Sequence, residues 1–268
     1  MSKQDLHDFA DVAENYDLYL EAFGSTDADF VPFYLSLAEE YGQGGVLDIA
    51  CGTGAVALPL AQAGYDVQAT DLSEAMLVQT RQKLAAAGLH IPCFAANMTD
   101  LRCERRFSLA VIARSGFMHL PDPQQQRAAL CSIRDCLTPG GILTLNSFEP
   151  DPRIQAVQMQ TSAQDYTLRS EYTNRAGQRE RIYNAIGYDP QTQLMQGNWR
   201  FDTLDTQGEP IASRVRPLTM RQTYRQELAY LLELCGFSVL AVYGDYRRGT
   251  PSGNGQLIWL AQKEGGTA

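Results

Sequence analysis

Apolar residues follow two different patterns in the middle of the chain. From about residue 41 to residue 150, short apolar runs alternate with longer segments of helical periodicity. This alternation predicts strands and helices in turn, as in a doubly wound, mostly parallel α/β sheet. Between residues 151 and 217, segments rich in β-branched and aromatic residues are separated by turn residues. That pattern predicts an antiparallel β meander inserted into the α/β unit.

The two ends of the chain complete this organisation. Before residue 41, apolar residues that include Phe9, Tyr16 and Phe23 recur at near-helical spacing and predict helices. After residue 217, a helix to Cys235 and two final strands are predicted to return to the α/β sheet. The predicted organisation is an N-terminal helical cap (1–40), the first part of the core (41–150), an antiparallel β lid (151–217) and a C-terminal part of the core (218–268).

One strand–turn–helix segment of the core carries the strongest signal for a binding site. The apolar run 46–49 leads into Gly52-Thr53-Gly54, where the two glycines let the backbone turn tightly and approach a ligand closely. After a helix-length gap, a second short strand ends in Asp71. A carboxylate at that strand end is placed to accept hydrogen bonds from two ribose hydroxyls. The segment therefore predicts a site for an adenosine-containing cofactor.

Two classes of cofactor fit this geometry. Residues 52–57 match the dinucleotide fingerprint GxGxxA, which is a weak signal by itself. Asp48, however, precedes Gly52 by four residues, where its carboxylate would repel a pyrophosphate and would suit a ligand with an ammonium and a sulfonium. A dinucleotide-dependent oxidoreductase also needs a proton donor such as a Tyr-x-x-x-Lys pair, and the sequence contains no such pair.

The first motif resembles that of the class I S-adenosylmethionine-dependent methyltransferases. Residues 47–54 read Leu-Asp-Ile-Ala-Cys-Gly-Thr-Gly, with Ala50 in place of the family's first glycine. An alanine costs little at this position if the backbone is extended, so the departure concerns the fine geometry of the turn and not the binding itself. The resemblance implies that Asp48, Ala50, Gly52 and Gly54 bind the cofactor. Asp48 could instead be a strand-end residue that caps neighbouring amides.

The resemblance continues through later motifs. It implies that Asp71 holds the ribose and that Leu72 covers the adenine. Asn97 and Met98 stand where the family has an acidic residue and its apolar neighbour, so Asn97 is expected to accept a hydrogen bond from the adenine amino group through its amide oxygen. Together the motifs cover residues 44–149 and the C-terminal strands. They imply a seven-stranded sheet whose last strand lies antiparallel between the fifth and the sixth.

The same resemblance implies an activity. Amino-sugar and glycine or sarcosine N-methyltransferases share this layout, with an antiparallel insertion over the mouth of the cofactor crevice. The implied reaction is direct in-line methyl transfer from S-adenosylmethionine to a small-molecule acceptor. A catalytically inactive S-adenosylmethionine-binding protein and, less favoured, an NAD(P)-dependent oxidoreductase stay open as alternatives, as does transfer to a macromolecule.

Candidate residues for the part of the site that holds the methyl acceptor follow the fourth predicted strand. Arg114 and Ser115 come directly after it and are expected to border the methionine portion of the cofactor. His119 is a candidate general base because its ordinary pKa lies near neutrality, although a histidine there is as often structural. Tyr16 resembles the N-terminal tyrosine that closes over the methionine end in related enzymes, or it packs as part of an aromatic stripe. Lid residues expected as possible pocket residues are Tyr166, Arg169, Trp199 and Arg200.

Composition narrows the classes of partner. The 268 residues carry a net charge of −9, which disfavours nucleic acid as a partner. No apolar run approaches the ~18 residues that span a membrane, and the N-terminus lacks an apolar signal region, so a cytoplasmic protein is predicted. Six cysteines without a CxxC pair and three histidines predict no metal site; the cysteines in apolar segments are expected to act as free, small apolar side chains. A free edge of the meander could pair two copies into a homodimer.

Overall fold

The structure is a computed structural model that describes residues 9–24, 28–253 and 255–265. Within these ranges the helices are α1 (Tyr16–Ala22), α2 (Phe30–Tyr41), α3 (Ala57–Gln62), α4 (Glu74–Ala86), α5 (Pro123–Cys136), α6 (Pro152–Gln158) and α7 (Arg225–Leu234). The strands are β1 (Val46–Ile49), β2 (Val67–Asp71), β3 (Cys93–Ala95), β4 (Phe107–Ile112), β5 (Leu137–Glu149), β6 (Thr167–Thr173), β7 (Arg179–Asp189), β8 (Leu194–Leu204), β9 (Pro210–Arg221), β10 (Phe237–Tyr243) and β11 (Gly255–Lys263). None of these helices is long and apolar enough to cross a membrane.

The larger sheet has seven strands in the order β10-β11-β5-β4-β1-β2-β3. Strands β1 to β5 pair in parallel, whereas β11 is antiparallel to both β5 and β10. The last strand therefore lies between the fifth and sixth strands of this sheet. The predicted doubly wound α/β fold with an inserted antiparallel sheet is confirmed.

Strand β4 shows why the sheet needs helices on both faces. Phe107 and Ile112 pack on one side in a cluster that includes residues of α5 and α7. Leu109 and Val111 point to the other side and join a cluster with residues of α2 and α3. Successive side chains of a strand alternate between faces, so an apolar run such as 109–112 is buried from both sides. The helices packed on both faces hold the strands, and therefore the strand ends at which a ligand can bind, in place.

Two helices next to those strand ends begin at polar residues that cap them. The Ser73 hydroxyl accepts a hydrogen bond from the Met76 amide at 3.4 Å and caps α4. Asp122 accepts from the Gln124 amide at 2.8 Å, and Pro123 opens α5. The polar side chain before each helix therefore fixes where that helix begins.

The second sheet is the inserted sheet, formed by β6, β7, β8 and β9 as an antiparallel meander. The lid was predicted to end at residue 217, but strand β9 continues to Arg221, which pairs with Leu194 of β8. Strand β8 supplies backbone partners for β9 up to that residue, and α7 begins at Arg225. Where the chain leaves and rejoins the core, Arg225 and Glu149 form an ion pair at 2.7 Å.

The N-terminal segment packs against the inserted sheet. Val12 is buried with Ile182 and Phe201 of that sheet, and Tyr19 and Phe23 pack against this cluster. The aromatic stripe read from the sequence is thus a contact between α1 and the insertion.

Two of the six cysteines are joined. Cys103 and Cys136 form a disulfide with Cα atoms 5.5 Å apart, and the four others are free. For this pair the expectation of free thiols was wrong. Their separation of 33 residues matches no short motif, and the pairing follows from the packing of the loop before β4 against the end of α5.

Candidate functional site

A cavity of about 780 Å³ opens at the carboxyl ends of β1, β2 and β4. In open α/β sheets the crevice forms where the chain reverses direction across the sheet, which here lies between β1 and β4. The volume suits a ligand the size of a nucleoside derivative. The predicted site residues that line it are Tyr16, Asp48, Ala50, Gly52, Asp71, Leu72, Asn97, Met98, Arg114 and His119.

Gly54 and Ser115 are the predicted site residues that lie behind the lining. Gly54 has φ +84°, and a Cβ added there would lie 3.0 Å from the Thr80 Cγ2 atom. This glycine is therefore required for close packing between the turn and α4. Ser115 is buried at the start of a short 3-10 helix, Gly116–His119.

Ala50 departs from the expected backbone. Its φ is +52°, in the left-handed region, so the backbone is not extended and the condition under which an alanine costs little is not met. A left-handed alanine costs about 1–2 kcal/mol, whereas a glycine would adopt this conformation freely. The residue also lines the cavity, so the turn keeps a methyl group there at the expense of backbone strain.

Asp71 connects the glycine turn to the next helix. Its Oδ2 atom accepts from the Gly52 amide at 2.8 Å, and its Oδ1 atom accepts from the Ser73 amide at 2.8 Å. Burial raises the pKa of this carboxyl, and the amide hydrogen bonds oppose that shift. A carboxylate has about four lone-pair directions, so each oxygen can still accept one hydrogen bond from a ligand.

Asp48 is buried, with 1% of its surface exposed. Its Oδ2 atom accepts from the Ala57 amide at 2.9 Å, as the capping interpretation proposes, whereas its Oδ1 atom has no hydrogen-bond partner among the described residues. Burial raises its pKa to about 8, and the nearby Asp71 carboxyl adds to the shift. A positively charged group beside Oδ1 would favour the ionised form.

The amide oxygen of Asn97 is already engaged. It accepts from the Thr99 amide at 3.0 Å and from the Thr99 hydroxyl at 2.9 Å, and so caps the short helix Met98–Asp100. An amide oxygen has two lone pairs, and both are used here. The oxygen expected to accept from an adenine amino group therefore has another role.

A polar cluster ties α1 to the glycine turn. Asp17 accepts from the Thr53 hydroxyl at 2.6 Å and pairs with Lys83 at 2.5 Å. Lys83 in turn donates to the Thr53 carbonyl oxygen at 2.9 Å. We call these three residues the α1 clasp. Because Tyr16 and Leu20 of the same helix line the cavity, the clasp holds a wall of the site in place.

Tyr16 and His119 both contact the Phe9 ring, and all three residues line the cavity. The Phe9 ring lies edge-on to both, with centroids 6.1 Å from Tyr16 and 5.7 Å from His119. Burial raises the pKa of the Tyr16 hydroxyl, and the Arg114 guanidinium opposes the shift. Arg114 itself lies over the Phe30 ring at 4.5 Å. This part of the lining is thus aromatic, with the Arg114 guanidinium beside it and the Arg216 guanidinium over the Phe9 ring at 3.6 Å.

The inserted sheet contributes differently from expectation. Tyr166, Arg169, Trp199 and Arg200 do not line the cavity, and Leu194 is the described lining residue from this sheet. Trp199 packs on Phe23 at 5.3 Å, and the Arg200 guanidinium lies over the Tyr166 ring at 4.5 Å. Trp199 therefore joins the inserted sheet to the N-terminal segment, and Arg200 packs on Tyr166, instead of facing the cavity.

Several lining or supporting residues were missed from the sequence. Asp17 and Lys83 belong to no motif, and Thr53 was noted only as part of the glycine turn, because the contacts among these residues join three separate segments. Gln125 also lines the cavity, in the first turns of α5. Across the described ranges, no three His, Cys, Asp or Glu side chains gather closely enough to hold a metal ion.

Residues 46–141 match the family model described as a methyltransferase domain. The chain carries a methyltransferase domain. The match covers the glycine turn, both acids and the segment after β4, and it confirms the resemblance drawn from the motifs.

Curated relatives of the methyltransferase domain include two N-methyltransferases. Glycine N-methyltransferase of Rattus norvegicus is 29% identical over 149 residues, covering 51% of this chain and 51% of the relative. The dTDP-3-amino-3,4,6-trideoxy-alpha-D-glucopyranose N,N-dimethyltransferase of Streptomyces venezuelae is 30% identical over 139 residues, covering 50% and 56%. The chain thus spans about half the length of the curated relatives it matches.

A solved structure is similar over nearly the whole chain. A crystal structure of an S-adenosylmethionine-dependent methyltransferase from Clostridium acetobutylicum aligns with a TM-score of 0.76, covering 94% of this chain and 98% of that chain. The identity is 16%, so this likeness concerns the fold, including the inserted sheet.

Proposed function

We propose that the protein is an S-adenosylmethionine-dependent methyltransferase acting on a small-molecule acceptor. The observation that carries the proposal is that Asp48 and Asp71 line one cavity at the strand ends of a methyltransferase domain. The acceptor class is proposed from the relatives, which are named for methylating the amino groups of glycine and of an amino sugar. We therefore favour an amine as the acceptor.

The residues present fit this cofactor. The second lone pairs of the Asp71 carboxylate match two ribose hydroxyls, and the buried Asp48 Oδ1 atom, which has no partner in the described ranges, matches the cationic end. A Cβ at Gly52 would meet no other atom within 4 Å, so the turn is open for a ligand. Leu72 and Met98 supply apolar contact for the base. When bound, S-adenosylmethionine supplies a methyl group that its sulfonium has already activated.

The chain's own task is to orient the acceptor and exclude water. In-line displacement needs the acceptor lone pair directly behind the methyl carbon, and a closed, largely apolar wall favours that alignment. Phe9, Tyr16 and Leu194 supply such a wall at one end of the cavity. We propose that Tyr16 positions the acceptor and that the His119 imidazole takes the proton that an ammonium acceptor must lose before it attacks.

The roles of the N-terminal segment and the inserted sheet are proposed from their contacts. They pack on each other beside the cavity, and the α1 clasp ties them to the glycine turn. We propose that they form one cover over the bound cofactor and acceptor. We further propose that a homodimer forms along a free edge of the inserted sheet, which light scattering of the purified protein would test. The cytoplasmic location and the exclusion of nucleic acid stay predictions.

The sharpest test of the cofactor site is Asp71→Ala. Loss of the ribose acceptor and of the turn's anchor should weaken S-adenosylhomocysteine binding by one to two orders of magnitude, or about 1.4–2.7 kcal/mol. Isothermal titration calorimetry measures this directly. The matched control is Asp66→Ala, in the loop just before β2, whose exposed side chain pairs with Arg105. Unchanged affinity in Asp71→Ala would remove this residue from the site.

Activity is tested with a methyl donor carrying an isotopic label. Incubation with glycine, amino sugars and a metabolite extract, followed by mass analysis, should show labelled methylated amines. Labelled products of another class would correct the acceptor, and absence of any product alongside tight cofactor binding would favour the inactive binding protein.

A further inference from the structure

The cavity contains a hydrogen-bond acceptor that no described residue uses. Gln125 lines the cavity, and its Oε1 atom is buried without a hydrogen-bond partner among the described residues. A buried amide oxygen left in this way is unfavourable, so a ligand donor that reaches it gains free energy. The final side-chain torsion of glutamine is soft, which lets the oxygen turn toward a ligand.

The position of Gln125 on α5 relates it to Met98, one of the residues proposed to contact the adenine. Ser132 of the same helix donates to the Met98 carbonyl oxygen at 2.6 Å, so this helix face packs on the segment that follows β3. Gln125 precedes Ser132 by seven residues, two helical turns, and therefore lies on the same face. The rise per residue places it about 10 Å nearer the amino end of α5, where the helix borders the cavity.

The neighbouring glutamines differ in their contacts. Gln126 is buried and its side-chain amide binds the Thr223 hydroxyl at 3.0 Å, which joins α5 to the segment before α7. Gln124 is exposed and does not line the cavity. In these first turns of α5, Gln125 is thus the glutamine placed to bind a ligand, and Gln124 is a natural control.

We propose that Gln125 accepts the hydrogen bond from the 6-amino group of the bound adenine. This inference rests on the proposed function, since it assigns a specificity-determining residue to the same cofactor site. It follows from two facts: the Asn97 oxygen is saturated by Thr99, and the Gln125 oxygen on the facing helix is not used. An adenine amino group is a donor, so it needs an acceptor of this kind when it leaves water.

The test compares two ligands, S-adenosylhomocysteine and its analogue with hydrogen in place of the 6-amino group. The unchanged protein should bind the amino ligand about tenfold more tightly, as expected for one hydrogen bond. Gln125→Leu and Gln125→Ala should bind both ligands equally, at about the affinity of the analogue for the unchanged protein. Gln125→Glu, which keeps an acceptor, and Gln124→Leu should retain the preference.

Each outcome is decisive because a packing defect weakens both ligands alike and leaves their ratio unchanged. A full preference in Gln125→Leu and Gln125→Ala, or no preference in the unchanged protein, would overturn the assignment of Gln125. Failure of the unchanged protein to bind either ligand would instead refute the proposed function, and the inference with it. The melting temperatures of the ligand-free variants show whether each one folds.

Discussion

At the scale of single residues, the glycine turn contains a position under strain. Ala50 lies in the left-handed region, where an alanine is disfavoured and a glycine is not. We predict that Ala50→Gly raises the free energy of unfolding by about 0.5–1 kcal/mol, the strain relieved less the chain entropy that glycine adds. Urea unfolding measures it. The control is Ala85→Gly, at an exposed position of α4, which should lower the free energy of unfolding by about as much. If Ala50→Gly also lowers the free energy of unfolding, the methyl group of Ala50 contributes more stability than its backbone conformation costs.

Asp48 should make stability depend on pH in a defined direction. Its pKa is raised to about 8 in the folded protein, above the value of an unfolded aspartate. The contribution of this carboxyl to folding is therefore fully present at pH below about 4, and it is lost as pH rises toward 8. Relative to Asp48→Asn, the protein should lose up to about 1.4 kcal/mol per pH unit in that window. Urea unfolding of both proteins between pH 4 and 9 tests it, and a difference independent of pH would show that Asp48 is ionised throughout.

Sequence reasoning located site residues better than it described their bonding. The spacing of Gly52 and Asp71 is set by a strand, a turn and a helix, so it can be read from the chain, and both line the cavity. The φ of Ala50 and the two bonds at the Asn97 oxygen depend on how short loops close. Such details involve atoms brought together only by folding, and no residue pattern encodes them.

At the scale of elements, α1 is held by its polar contacts as well as by its aromatic face. Removing the clasp with Asp17→Ala should raise the dissociation rate of S-adenosylhomocysteine by about three- to tenfold, because a partly exposed ion pair and one hydrogen bond together contribute about 1 kcal/mol. Stopped-flow displacement measures the rate. The control is Glu14→Ala, an exposed residue in the turn before α1. Equal dissociation rates in Asp17→Ala and the unchanged protein would show that the α1 clasp does not limit the release of S-adenosylhomocysteine.

Element types followed from local pattern, whereas element lengths did not. The strands of the inserted sheet were predicted from β-branched and aromatic runs between turn residues, and the structure contains four of them. The end of β9 depends on its partner, since β8 pairs with it as far as Arg221. The sequence also does not show which face of the meander points inward. Alternation along a strand assigns its side chains to two faces, but only tertiary contacts decide that Trp199 packs on Phe23.

At the scale of the whole molecule, ligand binding should stabilise the entire α/β unit. The cavity draws on β1, β2, β4 and α1, so the ligand-bound state requires all of them to be folded. S-adenosylhomocysteine at a hundredfold excess over its Kd should add about 2.7 kcal/mol to the free energy of unfolding, and NADH should add none. Thermal unfolding followed by circular dichroism measures both. Stabilisation by NADH alone would support the dinucleotide-dependent class.

The ion pair between Glu149 and Arg225 shows that the strand preceding the insertion and the helix following it stand side by side. The seventy-odd intervening residues therefore leave the α/β unit and return to it at neighbouring points, much as the two strands of a long hairpin do. An insertion of different shape can therefore replace this one while Glu149 and Arg225 keep their positions. Under the proposed function, inserted sheets from related folds could be grafted between these two positions to alter which acceptor is admitted, while the cavity at the strand ends stays intact.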